Sequence, residues 1–225
     1  MTTNFDTYLV TQRDLSAGRS TEEVVEAALA GGVDVVQVRE KHRNAREQLA
    51  VARALREPTA EAGVPLVIND RIDVAVAADA DGVHLGDDDL PVDVAREQLG
   101  ADAIVGRSVS TVEAAEAAEA AGADYLGVGA VYATSSKDVD EDNQAIGLDV
   151  VADIAAAVDI PFVGIGGVTP ERAPEVVAAG ADGVAVISAI TQADDPGEAT
   201  RALKEAVAEG KRRRDGTAAE TGGQA

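Results

Sequence analysis

The sequence predicts an α/β fold, a single (βα)8 TIM barrel, and three observations carry the prediction. Eight short apolar segments alternate with longer helical ones along one domain-sized chain of 225 residues. A phrase recurs between them: Gly31-Gly32-Val33-Asp34, Gly100-Ala101-Asp102, Gly122-Ala123-Asp124 and Gly180-Ala181-Asp182 each precede an apolar run. Each reads as a helix-ending glycine, a tight turn and a buried strand. The chain is 46% hydrophobic but only 2% aromatic, so its core must be built from Val, Ala, Ile and Leu. A doubly wound open sheet is the runner-up. It would need fewer strands or a second domain, and no GxGxxG follows the first strand.

Taken in order, strands are expected near 7–11, 33–38, 64–68, 81–85, 103–107, 123–128, 160–164 and 181–186. Helices are expected at about 20–31, 44–62, a short one after Arg71, 91–99, 110–121, 148–157, 170–179 and 195–209. Ser20…Glu23 and Ser110…Glu113 fit a capping box, in which hydroxyl and carboxylate satisfy free N–H groups reciprocally. Thr169-Pro170 and Asp195-Pro196 place a cap residue before a proline at the first helical position. The barrel is expected to occupy residues 1–210. Beyond that, Lys211-Arg212-Arg213-Arg214 and a Gly/Thr/Ala/Glu stretch offer no core face, so 211–225 reads as a disordered tail.

Composition excludes several function classes. With no cysteine there are no disulfides, thiolate metal sites or Cys nucleophiles. A formal charge of −22 argues against nonspecific binding to nucleic acid or anionic membranes. The N-terminus lacks a basic segment followed by an apolar one, and no apolar run approaches the roughly 20 residues needed to cross a bilayer. The expectation is a soluble, cytoplasmic protein, with a homo-oligomer left open. Acid excess with scarce lysine resembles the proteome style of salt-loving organisms.

In such a barrel the chemistry gathers at the C-terminal ends of the strands. The second strand ends in Gln37-Val38-Arg39-Glu40-Lys41. Strand alternation puts Gln37, Arg39 and Lys41 on one face, with Val36, Val38 and Glu40 on the other. Two cations and an amide in line suggest a phosphate site, and Lys41 is one of only four lysines. The later strand ends supply Asn69-Asp70, His84 to Asp89, Gly106-Arg107-Ser108, the loop Ala133 to Lys137, Gly164 to Gly167, and Ile187-Ser188. Asp70 and Asp89 suit Mg2+, a hard cation commonly bound by one or two carboxylates plus substrate phosphates. The bland reading of Asp89 is a helix cap, and Asp87 and Asp88 read as loop charge. Arg39, Lys41 and Lys137 can neutralise a diphosphate. Gly164–Gly167 with Ile187-Ser188 reads as a backbone phosphate cradle. His84 reads as a core histidine and His42 as a loop residue. No Ser/His/Asp triad is apparent.

Together QVREK at 37–41, ND at 69–70, DGVHLGDDD at 81–89, GRS at 106–108, GADYLGVGAVYATSSK at 122–137, VGIGGVT at 163–169 and AGADGVAVISAI at 179–190 closely resemble the thiamine-phosphate synthase family. The resemblance covers about residues 7–208 and implies the same barrel. It also implies joining a pyrimidine diphosphate ester to a thiazole phosphate ester, both small molecules, giving thiamine phosphate and pyrophosphate. By resemblance, Gln37, Val38, Arg39, Glu40, Lys41, Asn69, Ser108 and Lys137 would bind the pyrimidine diphosphate, with Lys137, Arg39 and Lys41 catalytic. Asp70 and Asp89 would hold Mg2+. Thr134, Ser135, Ser136, Gly167, Ile187 and Ser188 would bind the thiazole phosphate. The chain departs from the usual family pattern at Asp87, where Gln is common, and at Arg107, where a small or aliphatic residue is common. Two rivals are a thiazole tautomerase-like isomerase, which would need no diphosphate site, and a noncatalytic regulator that binds thiamine phosphates.

Overall fold

The computed structural model describes residues 3–134 and 145–222, with side chains described to residue 216. Eight parallel strands close into a barrel in sequence order, with the last paired back on the first. They are β1 (Thr7–Val10), β2 (Val35–Val38), β3 (Leu66–Asn69), β4 (Gly82–Leu85), β5 (Ile104–Val109), β6 (Tyr125–Gly129), β7 (Phe162–Ile165) and β8 (Gly183–Val186). The helices between and after them are α1 (Thr21–Gly31), α2 (Ala45–Ala62), α3 (Ile72–Ala78), α4 (Val92–Leu99), α5 (Val112–Ala120), α6 (Gly147–Ala157), α7 (Ala173–Ala178), α8 (Ser188–Thr191) and α9 (Pro196–Gly222). Among the described residues no helix is long and apolar enough to cross a membrane.

Alternation divides the core in two. Leu9, Val36, Val38, Leu66 and Ile68 face the helices in an aliphatic layer. Tyr8, Val10, Val35, Val67, Tyr125 and Val163 fill the barrel interior with Phe5. Both layers are largely aliphatic, as expected from composition. Three of the five aromatic residues sit inside the barrel, and Phe5 stacks on Tyr125 with ring centroids 4.6 Å apart.

The aspartates of three of the four recurring phrases, all but Asp102, share a mechanical role with Asp81. Asp34, Asp81, Asp124 and Asp182 each stand just before an even-numbered strand. Each takes a backbone N–H at the start of the preceding odd strand, from Thr7 at 3.1 Å, Leu66 at 2.7 Å, Val105 at 2.7 Å and Phe162 at 3.0 Å. The backbone returns the bond each time, from the aspartate N–H to the carbonyl of Thr7, Leu66, Val105 and Phe162. Lys204, Arg56 and Arg96 pair with the first three carboxylates. Asp81 has this role although its turn lacks the glycine of the phrase.

Several local expectations change. The Ser20…Glu23 box and the Asp195 cap are present. A second box, Asn44…Glu47, opens α2. At α5 the cap is Thr111, not Ser110, because β5 runs on to Val109 and delays the helix by one residue. Thr169-Pro170 forms a turn, and α7 begins at Ala173. The expected tail is helical instead: α9 continues to Gly222. The reason is close packing and charge rather than an apolar face. A Cβ on Gly210 would lie 2.6 Å from Val177 and 2.8 Å from the Pro174 carbonyl, so glycine lets α9 lie directly on α7. Lys211 then reaches Asp6 at 2.5 Å, and Arg214 donates to the carbonyls of Gly180 and Ala181.

Replacing Asp34 by Ala leaves the buried Thr7 N–H unpaired at the barrel base. The expected loss is about 1–3 kcal/mol in chemical denaturation, and Asp34→Asn, which keeps an acceptor, loses less.

Candidate active site

The residues at the C-terminal ends of the strands gather at one mouth of the barrel. On β2, Gln37 turns into the interior while Val36 and Val38 face the helices, as alternation requires. Arg39 is buried just past the strand, where its backbone N–H bonds Thr11 and its guanidinium donates to Gln12 at 2.7 Å. Lys41 is exposed in the following turn.

The side chains of two residues expected in the substrate site are taken up by the scaffold. The Val38 side chain is packed in the sheet–helix layer. The buried Glu40 carboxylate accepts from Thr11 at 3.1 Å, Thr21 at 2.7 Å and the Arg13 N–H at 3.3 Å, and lies 3.7 Å from Arg43. It ties the β2 end to β1 and α1, because alternation turns it away from the mouth.

Asp70 follows β3 with φ 64°, a left-handed conformation that Asp tolerates better than most residues. Its N–H is fixed to the His84 carbonyl at 2.8 Å. Burial first, then the hydrogen bond and charge of Asp89, push the Asp70 carboxyl from 3.8 up to about 6, against the opposing charges of Lys41 and Arg39. The Asp70–Asp89 pair thus lies within electrostatic reach of Arg39 and Lys41. Asp89 does not cap a helix, since α4 starts after Pro91. Its carboxylate instead closes its own loop on the Gly86 N–H at 2.6 Å. Among the described residues no three or more carboxylate or histidine side chains cluster as a metal site. Two apposed oxygen donors are nonetheless the set that suits Mg2+ when substrate phosphates complete its shell. The two departures from the family pattern prove to be partners: Arg107 pairs with Asp87 at 2.7 Å and donates to the Leu85 carbonyl, bracing the loop that carries Asp89.

The second half of the mouth is a cavity of about 390 Å3. Thr134, Gly166, Gly167, Ile187 and Ser188 line it, with Ser188 opening the short helix α8. Gly166 and Gly167 have φ of 98° and 61°. A Cβ on Gly167 would lie 2.8 Å from the Ala133 carbonyl, so only glycine lets these backbones meet. Arg172 lines the same cavity, donates to the Gly167 carbonyl at 2.8 Å and lies 4.7 Å over the Tyr132 ring. Sequence reasoning passed over it. Ser135, Ser136 and Lys137 lie outside the described residues.

Between the two halves, Tyr8, Gln37, Asn69, His84 and Tyr125 line a small interior recess that shares Ile165 and Ala185 with the larger cavity. His84 is buried, as a core histidine would be, yet it bonds Tyr125 through Nδ1 and Ser108 through Nε2, both at 2.9 Å. Tyr8 and Tyr125 were missed. The available signal was two aromatic residues at inward strand positions of an aromatic-poor chain.

Asp70 yields a pH prediction. Between pH 3.8 and about 6 the folded chain binds more protons at Asp70 than the unfolded chain, so the metal-free protein loses stability as pH rises through that window. Asp70→Asn removes this loss. In thermal melts with chelator, the variant should match the parent at the acid end of the window and exceed it at neutral pH.

The comparisons with known proteins agree with this geometry. A family model described as thiamine monophosphate synthase matches residues 7–190. A thiamine-phosphate synthase of Natronomonas pharaonis is 66% identical over 92% of this chain and 97% of the relative. One of Haloarcula marismortui is 64% identical over 92% and 99%. The solved structure of a thiamine phosphate pyrophosphorylase from Pyrococcus furiosus superposes with a TM-score of 0.84 at 40% identity, covering 92% of this chain and 98% of the other. The chain belongs to the thiamine monophosphate synthase family, and with it to the transferases.

Proposed function

We propose that the barrel mouth joins the diphosphate ester of 4-amino-5-hydroxymethyl-2-methylpyrimidine to the phosphate ester of 4-methyl-5-hydroxyethylthiazole. The observation that carries this reading is the adjacency of two unlike anion sites. The carboxylate pair and two cations follow strands whose Gln37 and Asn69 line the interior recess, and that recess shares Ile165 and Ala185 with the glycine-lined cavity. A tautomerase acting on the thiazole alone would have no use for the first.

In this reading Arg39, Lys41, Asn69, Ser108 and Lys137 bind the pyrimidine diphosphate, and Gln37 faces the ring from the recess. Thr134, Ser135, Ser136, Gly167, Ile187 and Ser188 bind the thiazole phosphate. Asp70 and Asp89 would hold Mg2+, which when bound neutralises charge on the diphosphate. The amino group of the pyrimidine donates electron density through the ring as the bond from its methylene carbon to the diphosphate oxygen breaks. The thiazole nitrogen then attacks the resulting pyrimidinylmethyl cation with its lone pair. No protein nucleophile is needed. The protein's work is to hold the two reactants in line and to stabilise the leaving anion by fixed positive charge. The surface acid excess fits a protein that functions at high salt.

Incubation with both phosphorylated halves and Mg2+ should release pyrophosphate and thiamine phosphate together. Binding without turnover would support the regulator instead, and isomerisation of the thiazole alone the tautomerase. Running the assay at low and high KCl tests the salt reading, which predicts higher activity at high salt. Arg39→Ala or Lys137→Ala should lower turnover roughly a hundredfold, the cost of one lost contact to the leaving charge, about 3 kcal/mol. Activity in Asp70→Ala equal to the parent's, with chelator present, would remove the metal assignment.

A further inference from the structure

A continuous line of hydrogen bonds crosses the barrel interior beneath the mouth. Gln37 Nε2 donates to the Tyr8 hydroxyl at 2.8 Å, and the Tyr8 and Tyr125 hydroxyls are 2.7 Å apart. The Tyr125 hydroxyl meets His84 Nδ1 at 2.9 Å, and His84 Nε2 meets Ser108 Oγ at 2.9 Å. We infer that this line is polarised in one direction, from Gln37 to Ser108, and that it sets the Ser108 hydroxyl as a donor toward the substrate anion, with Tyr125 and His84 as positioning residues. The inference rests on the reading of Ser108 as a diphosphate contact.

The direction follows from counting protons. An amide nitrogen only donates, so the Tyr8 oxygen accepts from Gln37. Burial pushes the pKa of both phenols above the ordinary range, so each keeps one proton to give. The acceptor within reach of the Tyr8 proton is the Tyr125 oxygen. Tyr125, having accepted, gives its own proton to His84 Nδ1. An imidazole that accepts at Nδ1 carries its proton on Nε2, and this one points at Ser108 Oγ. The serine oxygen is then an acceptor on its inner side, and its own proton turns outward to the mouth.

Opposite polarity has a definite consequence. If the Gln37 carbonyl faced Tyr8, every bond would reverse and Nε2 would take the serine proton. Ser108 would then show the anion only lone pairs. One amide orientation, at the end of the line remote from Ser108, thus decides whether the serine attracts or repels a diphosphate oxygen. Two glycines keep the line clear. A Cβ on Gly106 would lie 2.2 Å from the Tyr125 ring, and one on Gly127 would lie 3.0 Å from His84 Cε1.

Nitrogen NMR on histidine-labelled protein tests this, with His42→Asn used to assign the two histidines. The expected result is a neutral His84 with its proton on Nε2, and loss of that tautomer preference in Tyr125→Phe. A proton on Nδ1, or on both nitrogens, at neutral pH would overturn the proposal. In kinetics, Tyr125→Phe and Ser108→Ala should each lower kcat/KM for the pyrimidine diphosphate about tenfold, with KM for the thiazole phosphate unchanged. The double variant should lose no more than Ser108→Ala, and Ser108→Thr should retain activity. Additive losses would show that Tyr125 acts by packing rather than through Ser108, and would also overturn it. The tautomer is read without substrate. A protein that turns over neither phosphorylated half would refute the proposed function and leave the NMR result to decide the polarity.

Discussion

Strand register is the constraint on which the rest of this structure depends, and four carboxylates hold it. Side chains alternate faces with a period of two, so a slip of one residue would turn every inward group outward. Asp34, Asp81, Asp124 and Asp182 each bond an N–H at the start of the neighbouring strand, at the end of the barrel opposite the mouth. Because each also donates its own N–H back across the pair, the base fixes which residues face each other along the strands. That register aligns Asn69 with His84 and Ser108 with Gly127. The mouth is thus assembled by contacts made at the far end.

Charge is distributed in layers. The body is strongly acidic, at −22 overall. At the mouth, the charges of Arg39 and Lys41 oppose the rise in the Asp70 pKa that burial and Asp89 cause. Below them the interior holds a hydrogen-bonded line of two phenols, an amide, an imidazole and a serine. A hydrogen-bonded floor under a charged mouth holds the groups that face it in fixed orientations. This suits chemistry in which a leaving anion must be stabilised and no protein atom forms a bond.

Much of the fold was legible because it follows from local periodicity. The eight strands lie within two or three residues of their sequence-expected positions, and most helix starts follow their cap residues. The failures have physical causes. Ser110 and Thr111 are both competent caps, and the length of β5 chose between them. At the C-terminus the absence of an apolar face suggested disorder, but α9 is held by a glycine contact with α7 and by cations bonded to Asp6 and to backbone carbonyls. Hydrophobic patterning carries no trace of such contacts. Among the site residues, Gln37, Arg39, Asn69, Asp70, Asp89, Gly167 and Ser188 are brought to one mouth. Val38 and Glu40 share their motif but serve the scaffold, the one packed against helices and the other bonded to Thr11 and Thr21.

The sequence by itself determined the alternation of strands and helices, the end of the barrel that would carry chemistry, and the family to which the chain is related. These depend on residue types at short, regular spacings. Only the tertiary structure decided which residues of a motif face the mouth. It also decided that Asp87 and Arg107 are partners, and that Tyr8, Tyr125 and His84 join Gln37 to Ser108. Those pairings span up to 117 residues of chain between Tyr8 and Tyr125. They exist because barrel closure brings distant strands within one hydrogen bond of each other, a relation that spacing along the chain does not encode.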